Sequence, residues 1–201
     1  MGENTTTESL GVALDSASVG EAARFRTLTE LEELWAQRAP APRDVGQVVL
    51  IVRRGEGGRR ETPRQVSFSA DEGLPGDAWS RKATPHPEAQ LAVMQSDVAA
   101  LIANGQPLTL FGDNLFVDLD LSEANLLPGS RVQVGEALLE VTPLPHNACR
   151  KFLSRFGPDA LRFVSAQDQR HRNFRGIYMR VVVDGTVRPG DPVKVIERPS
   201  A

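Results

Sequence analysis

From Gly46 onward, short apolar runs alternate with polar positions and are separated by Gly, Pro and Asp, the pattern of half-buried strands broken by turns. Residues 47–52, 64–69, 90–94, 115–119, 131–134, 137–141, 177–183 and 193–196 are predicted strands, being rich in Val, Ile, Leu and Phe. So many short strands predict a barrel or a sandwich. Two tight hairpins are expected. One has Gly135-Glu136 between Val134 and Ala137, the other Asp184-Gly185 between Val183 and Thr186, and each supplies the positive φ of a two-residue turn.

A helical period intrudes in a few places only. Thr27 with Glu30 forms a capping box, and Leu28, Leu31, Leu34 and Trp35 share one face before Pro40-Ala41-Pro42 ends the run. Ser96 is expected to cap a helix through Asn104, stopped by Gly105. A further helix over residues 148–156, stopped by Gly157-Pro158, would carry Cys149 in its first turn, and residues 158–166 continue as another. Residues 1–20 are polar, Thr-rich and aperiodic, the signature of a loose tail. Three regions result: a flexible tail over 1–20, a helical extension over 21–45 and a β-barrel domain over 46–201.

Charge and composition narrow the function. Lys and Arg number 23 against 26 Asp and Glu, a net charge of −3, so the chain has no general electrostatic reason to bind nucleic acid. One cysteine excludes an intrachain disulfide and a Cys-x-x-Cys metal cluster. With no apolar span and no basic apolar leader, a cytoplasmic protein without a membrane partner is expected. Locally the balance reverses. Arg150, Lys151, Arg155, Arg162, Arg170, Arg172, Arg175 and Arg180 face only Asp159 and Asp168 within residues 150–180, which suggests a small anionic partner.

Cys149 stands at the start of that basic stretch, in Pro145-His146-Asn147-Ala148-Cys149-Arg150-Lys151-Phe152. Neighbouring cations favour a thiolate, the form that ligates metals and attacks electrophiles. The polar loop before it and Arg-Lys after it favour exposure over the buried setting of an inert cysteine. A Cys/His nucleophile with His146 is conceivable, but thiol enzymes draw their His from distant segments. No His-x-x-x-His or His-x-Glu spacing offers a zinc site. A soft thiolate can still hold a metal whose other ligands come from a cofactor. The glycine runs at 55–58, 73–76 and 112 read as turns, the first of them a hairpin tip followed by Arg59-Arg60.

Taken in order, Gly73-Leu74-Pro75-Gly76-Asp77, Gly112-Asp113-Asn114-Leu115, Pro128-Gly129-Ser130-Arg131-Val132, the Cys149 run, Arg155-Phe156-Gly157, Arg175-Gly176-Ile177-Tyr178 and Gly185-Thr186-Val187-Arg188-Pro189-Gly190-Asp191 resemble the small stand-alone members of the MOSC domain family, named for the C-terminal part of molybdenum cofactor sulfurase. The resemblance spans about residues 46–196. It implies a mainly β fold, a closed β-barrel with short helices packed around it and an N-terminal helix. It also implies that Cys149 is the catalytic cysteine and the ligand to molybdenum of a pterin cofactor, or else carries sulfur as a persulfide. Cofactor contacts carry over onto Asp113, Asn114, His146, Asn147, Arg150, Lys151 and Arg175, and onto Asp77 and Arg81. The expected activity is reduction of N-hydroxylated small molecules, with a redox or sulfur-donor protein as partner. A sulfur carrier and a non-enzymatic barrel for a phosphorylated ligand are the alternatives. This chain departs from the common pattern in having Ala78-Trp79-Ser80-Arg81 after Gly76-Asp77, where many members have an Arg-His pair, and Asp113 where Glu is usual.

Overall fold

A computed structural model describes residues 11–12 and 19–199, so most of the 1–20 tail lies outside the described residues. Seven strands close into a barrel: β1 (Val45–Ile51), β2 (Leu91–Gln95), β3 (Leu115–Asp118), β4 (Arg131–Val134), β5 (Ala137–Val141), β6 (Ile177–Val183) and β7 (Pro192–Glu197). Their order around the wall is β6-β2-β3-β1-β7-β4-β5, with β5 returning to β6. The expected fold class, mainly β with helices outside a closed barrel, is the one observed. Every pairing is antiparallel except β2 with β3. A parallel pair needs a crossover rather than a hairpin, and helix α2 (Ser96–Ala103) supplies it.

The barrel interior is filled by alternate residues such as Val48, Val93, Leu115, Val117, Val132, Val134, Leu139 and Met179, all essentially buried. A second core lies between the barrel's outer face and the helices. It joins Met94 and Phe116 to Leu31 of α1 (Leu28–Gln37) and to Phe152 and Phe156 of α3 (Arg150–Ser165). Phe111 stacks on Phe156 at 4.1 Å between ring centroids. The start of α3, and with it Cys149, is thereby pinned to the barrel wall.

α1 forms where the capping box predicts it. Thr27 Oγ1 accepts from the Glu30 N–H at 3.3 Å and the Glu30 carboxylate accepts from the Thr27 N–H at 2.7 Å. Thr27→Ala is expected to lower stability by about 1 kcal/mol, read as a shift in the urea midpoint without a change in slope. Gly157, at φ 86° and ψ 170°, breaks α3 into the two helical stretches its Gly-Pro pair predicts. Cys149 sits at the N-cap of the first, just before the helix and not within its first turn as expected, because the helix starts at Arg150 and not at Ala148. α2 differs in detail: its N-cap is Gln95 rather than Ser96, and the Asp97 carboxylate accepts from the Val98 N–H at 2.7 Å.

One expected hairpin forms and one does not. Val134 pairs with Ala137 across Gly135, whose φ is 55°. At Asp184-Gly185 the chain leaves the barrel instead, and residues Gly185–Val187 pair with the short strand Val66–Phe68 in a separate two-stranded sheet. The glycine at 185 serves close approach rather than turn geometry: a Cβ there would lie 2.3 Å from the Glu136 backbone carbon. The predicted 64–69 strand is therefore a partner of this excursion and not a stave of the barrel. No helix among the described residues is long and apolar enough to cross a membrane.

Candidate functional site

Cys149 is exposed and opens onto a cleft of about 340 Å³ beside the start of α3. Five cationic side chains line the same cleft, Arg54, Arg60, Lys151, Arg155 and Arg175, and no carboxylate does. Two carboxylates stand behind this lining. Asp77, essentially buried, accepts from the Arg54 backbone N–H at 2.7 Å and from its guanidinium at 2.5 Å. Asp113, fully buried, accepts from Arg175 Nη1 at 2.9 Å through each oxygen. Arg175 also lies 5.3 Å over the Phe152 ring. Two of the arginines are thus held in fixed orientations by acids that the cleft itself does not see.

Burial acts on each of these groups. Desolvation alone would raise the Asp77 carboxyl, but the Arg54 guanidinium and the Trp79 and Arg54 N–H groups reverse it and hold the group below the usual carboxylate range. Desolvation depresses Arg60, with Arg155 and Arg54 pressing the same way. Desolvation also depresses Arg155, while Cys149 acts in the opposite sense. Arg60 Nε and Arg175 Nε are buried N–H donors with no hydrogen-bond partner. A native fold seldom leaves such groups orphaned without a reason.

Arg54 and Arg60 come from the hairpin whose Gly-rich tip is expected at 55–58, though the arginines themselves are not singled out by the sequence. Strands Arg53–Arg54 and Arg60–Glu61 pair around the Gly-rich tip, with Arg54 opposite Arg60 and Arg53 opposite Glu61. The second pair is satisfied, Arg53 meeting Glu61 at 2.6 Å. The first places like charges directly across the ladder, an unfavourable arrangement that the Asp77 carboxylate on Arg54 partly offsets. Alternation within Arg53-Arg54 and Arg60-Glu61 is the signal that would have revealed it.

The sequence-predicted residues divide by position. Cys149, Lys151 and Arg175 share the cleft, and Asp77 and Asp113 orient its arginines. Asn114 is fully buried and spends its amide on the backbone, accepting from the Ala92 N–H at 3.1 Å and donating to Val52 O at 3.3 Å. Arg81 donates to the carbonyls of Gly76 and Arg54 and so braces the hairpin. Arg150 is exposed on the first turn of α3 and does not line the cleft. His146 and Asn147 face a different cavity, which meets the first only at Arg175.

The His146 ring lies 4.2 Å from that of Tyr178, and its Nδ1 is 3.6 Å from Asp113 Oδ1 without a hydrogen bond. Burial, reinforced by Arg175 and partly offset by Asp113, pushes His146 down to about 3 from 6.5. The unfolded chain therefore takes up a proton in that interval while the native protein does not, so stability falls as pH drops from 6.5 to about 3. His146→Gln is expected to remove this component. Urea unfolding at about pH 7 and about pH 4 should show a smaller stability difference in the variant than in the wild type.

A sequence profile of the MOSC domain matches residues 79–194, more than half of the chain. The chain belongs to the MOSC domain family. The MOSC match is shorter than the motifs suggest, beginning after β1 and after the arginine hairpin. Solved structures share the fold. The YuaD protein from Bacillus subtilis aligns with a TM-score of 0.57 at 17% identity, over 77% of this chain and 97% of that one. YiiM from Escherichia coli aligns with a TM-score of 0.51 at 23% identity, over 77% of this chain and 72% of that one. At such identities the likeness carries the MOSC barrel and nothing finer. No curated protein matches the chain in sequence.

Proposed function

We propose that the chain binds a molybdenum–pterin cofactor in the Cys149 cleft and acts as an oxidoreductase that removes oxygen from N-hydroxylated compounds. MOSC domains are associated with molybdenum cofactor binding, and the residues present suit that group. The observation that carries the reading is the cleft's composition: an exposed thiol beside five cations, no acid in the lining, and two buried guanidinium N–H groups without partners.

The phosphate of such a cofactor would lie against Arg54, Arg60, Arg155 and Arg175, where arginine forks match phosphate oxygens and the protein excludes much of the competing water. Asp77 and Asp113 keep two of those forks aimed, so their orientation is set before any ligand arrives. Cys149 would supply the one soft donor from the protein. Among the described residues no group of three or more His, Cys, Asp or Glu could hold a metal, which leaves the remaining ligands to the cofactor. When bound, the cofactor would supply two-electron redox chemistry and transfer of one oxygen atom. An electron-donor protein is the implied partner.

The test is elemental analysis of protein purified from a host that makes the cofactor, with reduction of an N-hydroxylated compound by a supplied electron source. About one molybdenum per chain and measurable turnover are expected. Protein without molybdenum and without turnover overturns the reading. The exposure of Cys149 also supports a sulfur carrier as the alternative. That role predicts an adduct of about 32 Da on this residue after treatment with a cysteine desulfurase and cysteine, which a metal-ligating sulfur does not. A barrel that merely holds a phosphorylated ligand predicts neither result.

A further inference from the structure

The second cavity, on the other side of Arg175, has a volume of about 350 Å³, within the range of small-molecule sites. Part of its wall is apolar, formed by Leu126, Pro128, Val141, Leu144, Val164 and Ile177, and the rest is polar. At its inner end the charge of Arg175 is already met by Asp113, and the His146 ring, with 6% of its side chain exposed, offers Nδ1 without a partner. The chamber contributes almost no net charge from that end.

Two further charges line it, and both are exposed. Glu123 and Arg170 lie on neighbouring segments, since the Glu123 backbone N–H donates to His171 O at 2.8 Å. Their side chains nonetheless form no ion pair with each other, nor a hydrogen bond with any other described residue. One carboxylate and one guanidinium thus stand unneutralised at a chamber that also has an apolar wall. A simple carboxylate ligand would answer Arg170 and be repelled by Glu123, and a simple amine would do the reverse. A phosphate finds far better partners in the cysteine cleft.

We infer that this cavity binds a zwitterionic amino acid with an apolar side chain, its carboxylate on Arg170, its ammonium on Glu123 and its side chain against the Leu, Val and Pro wall. The site is separate from the proposed cofactor cleft and does not depend on that reading.

Calorimetric titration of the full-length protein with L-leucine, isocaproate and isoamylamine tests it, because the last two lack the ammonium and the carboxylate respectively. Leucine is expected to bind at least about tenfold more tightly than either. Glu123→Gln should weaken leucine about tenfold and tighten isocaproate, and Arg170→Gln should weaken leucine and isocaproate and tighten isoamylamine. Ser165→Trp, an exposed position on the lining, should block all three without touching the core. Cys149→Ser should leave leucine binding unchanged, so failure of the molybdenum reading is distinguishable from failure here. No leucine binding, equal binding of leucine and isocaproate, or indifference to Glu123→Gln overturns the inference.

Discussion

Cys149→Ala protein from a cofactor-competent host is expected to reduce N-hydroxylated compounds at less than about one-hundredth of the wild-type rate, since losing even an outer partner of a metal ligand costs tenfold to a hundredfold. Its affinity for inorganic phosphate should be unchanged, because the arginines of the cleft are placed by Asp77, Asp113 and the hairpin, not by the sulfur. Steady-state kinetics and phosphate titration of the same preparation separate the two effects. Retained turnover in Cys149→Ala would remove the sulfur from the chemistry. Loss of phosphate binding would mean that the cleft is not the preorganised cation cup described above.

Asp113→Ala should have the largest effect on the fold. The substitution leaves the Arg175 guanidinium buried with neither of its two 2.9 Å contacts to a carboxylate. Breaking a buried pair by removing one partner typically costs about 3 to 5 kcal/mol, a large part of the stability of a domain this size. Chemical denaturation should show this loss. Asp113→Ala with Arg175→Met should recover much of it, since the orphaned cation is then gone. If the single variant is as stable as wild type, Arg175 has found other partners and the orienting role of Asp113 fails.

Much of the barrel is legible from local pattern because alternation is a local property. Val132, Val134, Leu139 and Val141 announce two strands joined at Gly135, and the fold joins them there. The order of strands is not local, and nothing in residues 91–95 or 115–118 says that they pair in parallel. The excursion at Gly185 is hidden for the same reason. A glycine beside Asp looks like a turn until the Glu136 backbone is seen pressed against it.

The site divides in the same way. Cys149, Lys151 and Arg175 stand out because a basic stretch in an acidic chain is visible in one dimension. Arg54 and Arg60 join them from nearly a hundred residues upstream, through a hairpin whose Gly-rich tip disguises its purpose. His146 and Asn147 are close to Cys149 in sequence but line the other cavity, which shares only Arg175 with the cleft.

The arginine hairpin pairs with itself and with Gly11–Val12, shares no ladder with the barrel, and precedes the segment that defines the family. Its ties to the rest of the protein run through Arg54, on Asp77 and on the Gly112 carbonyl, and through Arg81. Exchanging the residues beyond Arg54, from Gly55 to Glu61, would retune which anions reach the sulfur while the Arg54–Asp77 pair, the staves and the cysteine stay in place. Relatives with one barrel could thus diverge in ligand choice by editing a part that contributes no stave to it.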